Sequence, residues 1–146
     1  MSLDLDSVTL RELSEPERLS FLKEQITREN EDLHRRHLAG EAGLAHSEAR
    51  SMVADELIIA LFNTYLPDPE NPPPLALVAN GGYGRGLMNP GSDIDLLFLI
   101  DRPTSKISDG IKEILRGIQM IIWDLGFKFL PSTRSVPECI LSLIHI

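Results

Sequence analysis

The sequence predicts an α/β (α+β) domain, a small mixed β-sheet flanked by helices behind a helical N-terminal region. Three observations lead there. Two short apolar runs, Leu75 to Val78 and Ile94 to Ile100, have strand length and are bounded by turn residues. Between Ile107 and Leu125 the apolar residues recur at helical spacing. Upstream, two further amphipathic stretches precede a run of prolines that neither helix nor central strand tolerates. A chain of 146 residues holds one buried core, and its 42% hydrophobic and 25% charged composition is that of an ordinary globular domain.

Residues 1–14 show scattered Leu and Val and predict a loose lead-in. Ser14, Pro16 and Glu17 then have the arrangement of a capping box, a serine whose side chain and a glutamate three residues on satisfy each other's backbone N–H groups. Leu19, Leu22, Ile26 and Leu33 form the apolar stripe of the helix that follows, with Lys23, Glu24, Arg28, Glu29, Asp32 and Arg35 on its other faces. His34 and His37 could share a face as metal ligands, but no Cys, Asp or Glu at ligand spacing joins them, so a solvated helix end is the reading taken. Gly40 and Gly43 are expected to end the helix.

A second helix is expected from about Ser47 to Tyr65, packed on the first, with Met52, Val53, Leu57, Ile58, Leu61 and Phe62 as its apolar face. The division expected is therefore a helical region over 1–66, a stiff connector over 67–74 and a core over 75–146 that carries the chemistry. Leu75 to Val78 reads as a buried strand, Ile94 to Ile100 as a second, and Phe127 to Leu130 as a third, after Gly126 closes the helix. Trp123 is expected in the core.

The chemistry lies between the first two strands. Gly81, Gly82, Gly84 and Gly86 leave backbone N–H groups free to converge on an anion, although a glycine cluster alone also serves a tight turn. Neither the phosphate-loop pattern ending in Lys-Ser/Thr nor the dinucleotide glycine spacing is present. Asp93 and Asp95 stand two apart at the mouth of a strand, which puts both carboxylates on one face while Ile94 turns inward. Two carboxylates side by side repel each other unless a cation lies between them. Magnesium, or manganese in its place, is held by one or two such carboxylates together with phosphate oxygens of a substrate. The competing reading makes Asp93 a turn cap and Asp95 a strand-edge charge.

Charge and composition narrow the partners. A net charge of −8 disfavours binding to nucleic acid through a basic surface. No apolar run approaches the roughly 18 residues of a membrane span, and the N-terminus lacks the pattern of a signal peptide. The single cysteine, Cys139, forms no internal disulfide, which suits a reducing cytoplasm.

Gly81-Gly82, ten residues, then Asp93-Ile94-Asp95 and an apolar strand resemble the signature of the DNA polymerase beta-type nucleotidyltransferase superfamily. More narrowly, G-G-Y-G-R-G-x-x-x-P-G-S-D-I-D-L-L, W-D-L-G-F-K and S-T-R-S-V-P-E-C resemble the N-terminal nucleotidyltransferase domain of the bacterial PII uridylyltransferase/uridylyl-removing enzymes. Leu38 to Gly40 is compatible with the same family, and the resemblance runs from about residue 30 to 139.

It implies transfer of a nucleoside monophosphate, typically from UTP, to a tyrosine hydroxyl of a PII-type signal protein, with pyrophosphate leaving. Asp93 and Asp95 carry over as catalytic metal ligands, and Gly81, Gly82 and Ser92 as contacts to the triphosphate. Arg85 has two open readings, a phosphate contact or a side chain pinning the loop to a carboxylate. Tyr83 reads as packing.

The chain departs from the family in two respects. No acid follows the third strand where superfamily members carry another carboxylate. The family enzymes are also far longer, and the apolar ending Cys139 to Ile146 is unlike their continuation, so a truncated fragment is expected, without nucleotide removal or small-molecule sensing. An inactive nucleotide-binding domain and a transferase with a different acceptor remain the alternatives.

Overall fold

The computed structural model describes residues 3 and 5–144. The order of elements is α1 (Ser7–Glu12), α2 (Glu15–Leu38), α3 (Gly43–Tyr65), β1 (Leu75–Ala79), the single helical turn α4 (Gly81–Gly84), β2 (Ile94–Ile100), a 3-10 turn (Thr104–Lys106), α5 (Asp109–Asp124), β3 (Phe129–Ser135) and α6 (Val136–Ile144). Met1, Ser2 and Asp4 of the expected lead-in, and His145 and Ile146 of the apolar ending, lie outside the described residues.

The lead-in is more ordered than the sequence suggested. Asp6 caps α1 by accepting from the Val8 N–H at 3.0 Å, and Leu10 is fully buried against the helices that follow. Six residues are too few to reveal a helical period, and the sequence reading placed no helix there. Helix α2 starts as predicted, with both halves of the capping box formed by Ser14 and Glu17. That bond to the Ser14 amide holds the Glu17 carboxyl below its usual range. Replacing Ser14 by alanine removes one of the two bonds, and the expected loss is ~1 kcal/mol of unfolding free energy, measured by urea denaturation.

Within α2, Leu22, Ile26 and Leu33 are buried as expected, and Arg18 and Glu29 join them. Arg18 is buried with its guanidinium on backbone carbonyls at the end of α1: its Nε donates to Leu10 at 2.9 Å and its Nη2 to Leu13 at 3.1 Å. Its guanidinium also lies 5.3 Å from the centre of the Tyr65 ring. The side chain thus ties α1, α2 and α3 together.

Helix α3 begins four residues before the predicted start, so Gly43 opens it instead of closing the previous helix. It packs on α1, α2 and α5 at once. Burial on several sides explains why His46, Ser47, Ser51 and Thr64 are buried beside Val53, Leu57, Ile58 and Leu61. Met52, expected in the apolar face, is 59% exposed.

The sheet has the order β1-β2-β3, with β1 antiparallel and β3 parallel to β2. Strand β2 is central and alternates cleanly: Ile94, Leu96, Phe98 and Ile100 are buried, and Asp95, Leu97 and Leu99 face the more open side. Strand β1 was expected to be buried and is instead a half-exposed edge, paired only through Leu75↔Ile100 to Ala79↔Leu96. Strand β3 runs to Ser135 rather than stopping at Leu130. Pro131 sits inside it because β3 is the other edge, where a residue without an N–H leaves no neighbouring strand unpaired. Trp123 is not core: it is 50% exposed, lies edge-on to Phe129 and donates its indole N–H to the Phe129 carbonyl at 3.4 Å. One apolar cluster runs from Leu10 and Leu22 through Leu57 and Leu61 to Phe98, Ile118 and Ile122, so helices and sheet share a core.

Candidate active site

The chain leaves β1 at Ala79 and turns at once into α4, whose bonds run from the Gly84 N–H to the Asn80 carbonyl (2.7 Å) and from the Arg85 N–H to the Gly81 carbonyl (3.1 Å). A turn bonded in this way leaves the N–H groups of Gly81 and Gly82 at its start without a carbonyl of the turn to bond. The turn is held against the next strand because the Asn80 N–H donates to the Asp95 carbonyl at 2.9 Å.

Two glycines are required by this geometry. Gly81 adopts φ +59°, and a Cβ there would meet Asp95 Oδ2 at 3.4 Å, so the bare backbone lies directly over that carboxylate. A Cβ on Gly84 would stand 2.5 Å from the Ala79 carbonyl oxygen, closer than any side chain permits.

All six residues singled out in the sequence line one open cleft of about 420 Å³: Gly81, Gly82, Arg85, Ser92, Asp93 and Asp95. Asp93 is exposed just before β2 and Asp95 is half-buried in its second position, with Ile94 fully buried between them. Neither carboxylate takes part in an ion pair among the described residues. Arg85 is exposed at the end of α4 and likewise has no carboxylate partner, so the loop-pinning contact is not formed. Asn89, Leu87, Gly91 and Leu130 complete the lining. Leu130 comes from β3, where it stands beside Asp95 in register, and β3 contributes no acid.

The sequence reading missed the part played by α3. Ser47 accepts the Met88 N–H at 3.1 Å through its carbonyl, and its hydroxyl lies 2.8 Å from Asn89 Oδ1. Two turns further along α3, Asp55 faces the hydroxyl of the buried Tyr83, and burial first, then that carboxylate, pushes the phenol well above its usual range. The glycine turn and the 88–92 segment are therefore both anchored on one helix. Ser47, Ser51 and Asp55 recur every four residues along one side of α3, and that polar stripe was the available signal. Tyr83 packs, as expected.

The donor set at the cleft consists of hard oxygens, and two unneutralised carboxylates on one wall fit a divalent cation. Among the described residues no group of three or more His, Cys, Asp or Glu side chains converges, so the protein would supply two carboxylates and a substrate the remaining oxygens. His34 and His37 are exposed on α2, away from any such group.

Comparison with known proteins gives a concordant result. Residues 66–133 match the family described as nucleotidyltransferase domain. The chain is 36% identical over 126 residues to the bifunctional uridylyltransferase/uridylyl-removing enzyme of Rhodopseudomonas palustris, covering 82% of the chain and 13% of that enzyme. To the enzymes of the same name in Caulobacter vibrioides and Gluconobacter oxydans it is 34% and 39% identical, over 93% and 80% of the chain and 15% and 14% of theirs. The chain thus spans no more than 15% of the length of these curated relatives. No solved structure matches.

Proposed function

We propose that the chain, whose residues 66–133 match the nucleotidyltransferase domain family, transfers UMP from UTP to a tyrosine hydroxyl of a PII-type nitrogen-regulatory protein, releasing pyrophosphate. The observation that carries this reading is the convergence of Gly81, Gly82, Arg85, Ser92, Asp93 and Asp95 on one cleft. The choice of UTP is supported by the relatives, which are uridylyltransferases.

In this mechanism the N–H groups of Gly81 and Gly82 and the Ser92 hydroxyl donate to the triphosphate. Arg85, which pairs with no carboxylate among the described residues, supplies a guanidinium to the departing phosphates. Asp93 and Asp95 hold a magnesium or manganese ion, which when bound neutralises phosphate charge and polarises the reacting phosphoryl group. The acceptor oxygen attacks the α-phosphorus, the bond from that phosphorus to the oxygen bridging it to the β-phosphorus breaks, the hydroxyl proton passes to solvent water, and pyrophosphate departs. Rate comes from positioning and charge neutralisation, and both depend on how firmly α3 holds the two loops.

Residues 75–146 carry the chemistry, 67–74 connect, and 1–66 support the site from behind. The reaction takes place in the cytoplasm with no membrane partner. Among the described residues no helix is long and apolar enough to cross a membrane. Nucleic acid as acceptor is disfavoured by the net charge of −8.

The test is incubation of the chain with α-labelled UTP, magnesium and a PII-type protein. The expected result is label on a tyrosine of the acceptor, with one pyrophosphate released per label. Transfer from ATP but not UTP would redirect the reading to an adenylyltransferase. That no third carboxylate converges among the described residues favours a second reading, a nucleotide-binding domain without turnover. UTP binding with no pyrophosphate release for any acceptor would establish that one.

A further inference from the structure

A second cleft, of about 270 Å³, opens behind the 89–92 segment, which it shares as a wall with the carboxylate cleft through Asn89, Gly91 and Ser92. Its other walls come from α2, α3 and the turn between α5 and β3. Its composition is unlike the rest of this protein. The chain has 22 Asp and Glu against 14 Lys and Arg, yet no acid lines this cleft, and Arg50 and Lys128 both do. Neither cation has an ion-pair partner among the described residues.

Arg50 is half-buried and held in place by a neutral group. Its Nε donates to His46 Nε2 at 3.2 Å, which requires that nitrogen to be unprotonated. Burial, with Arg50 and His37 beside it, lowers the His46 pKa and favours that form. The guanidinium is therefore oriented without its charge being cancelled. The lining also includes the apolar Ile26, Val53, Leu125 and Phe127, and Asn30 adds a polar group.

We propose that this cleft binds a small organic anion with an apolar body, its charge held by Arg50 and Lys128 and its body laid on Ile26, Val53, Leu125 and Phe127. An unneutralised cation pair over an apolar floor suits such a ligand better than it suits water or a free inorganic ion. The cavity accommodates a ring-sized group and is too small for a nucleoside triphosphate. Because Asn89, Gly91 and Ser92 form the common wall, an occupant would steady the segment that carries Ser92 and so adjust nucleotide binding. Only this last link rests on the nucleotidyltransferase reading.

The experiment uses the whole chain, with phenyl phosphate as probe, followed by calorimetric titration and amide chemical shifts. Expected are saturable one-site binding with shifts at Gly91, Ser92 and Phe127, and weakening by about tenfold or more in both Arg50→Gln and Lys128→Gln. Asp93→Asn/Asp95→Asn should bind the probe as wild type does, and inorganic phosphate should bind at least about tenfold more weakly than phenyl phosphate. Absence of saturable binding up to about 10 mM would overturn the proposal. So would equal binding of inorganic phosphate, or binding that ignores the exposed Lys128. A probe that responds to the aspartates and not to Arg50 sits in the other cleft, which also overturns it. Loss of transferase activity in any variant is a separate result and bears on the proposed function alone.

Discussion

Replacing Asp93 and Asp95 together by alanine lowers label transfer from UTP by roughly 10³-fold or more, while the unfolding free energy from urea denaturation stays within about 0.5 kcal/mol of wild type. The two halves of this result have one cause. Asp93 is exposed and Asp95 half-buried, and neither is compensated by a cation among the described residues. Folding therefore gains little from either carboxylate. The bonds at Asp95 that matter for the fold are made by its backbone, whose carbonyl accepts from Asn80 and whose place in β2 an alanine keeps. A pair retained for structure would show the reverse, lost stability with activity in proportion to the folded fraction. Label transfer that survives the double substitution at an unchanged rate would sink the assignment of these residues as metal ligands. The single variants should each lose a large part of the rate, because the two carboxylates act on one ion and their effects are not additive.

Gly84→Ala is expected to cost about 1–3 kcal/mol in unfolding free energy and to weaken magnesium-UTP binding by about tenfold or more. The added carbon would lie 2.5 Å from the Ala79 carbonyl oxygen and 2.9 Å from its carbon, and backbone atoms at the end of β1 cannot swing aside as a side chain could. The turn has to open, breaking the 2.7 Å bond from Gly84 to Asn80 and lifting Gly81 and Gly82 away from Asp95. Gly110→Ala is the matched control. It lies in the first turn of α5 with nothing within 4 Å of its added carbon, so the same substitution there is neutral or slightly stabilising. A Gly84→Ala variant with wild-type midpoint and wild-type titration would show that the turn is looser than its packing indicates.

Much of this architecture was legible because local rules and tertiary packing agree in it. The start of α2 was readable from Ser14 and Glu17, since a capping box satisfies its own backbone groups whatever surrounds it. The limits of β2 were readable because the apolar run from Ile94 to Ile100 has strand length and is bounded by turn residues. The errors arose where an element's neighbours decide its character. Pro131 looked like the end of a strand, and only the position of β3 at the sheet's edge makes it tolerable. Trp123 and Met52 looked like core because they are large and apolar, but each lies on the outward side of its helix. The short α1 has too few residues to show a period.

The six candidate site residues lie within 81–95, so a glycine turn followed by a strand was enough to bring them together, and their spacing alone determined which carboxylates share a face. What holds that constellation in place was not determined locally. Ser47 and Asp55 reach Met88, Asn89 and Tyr83 from a helix more than 25 residues away, across the proline connector. The second cleft likewise gathers Asn30, Arg50, Ser92 and Lys128 from four separate segments. Contacts over such distances in sequence depend on how the helices dock on the sheet, and docking is set by the shape of the shared core, not by the period of any one element.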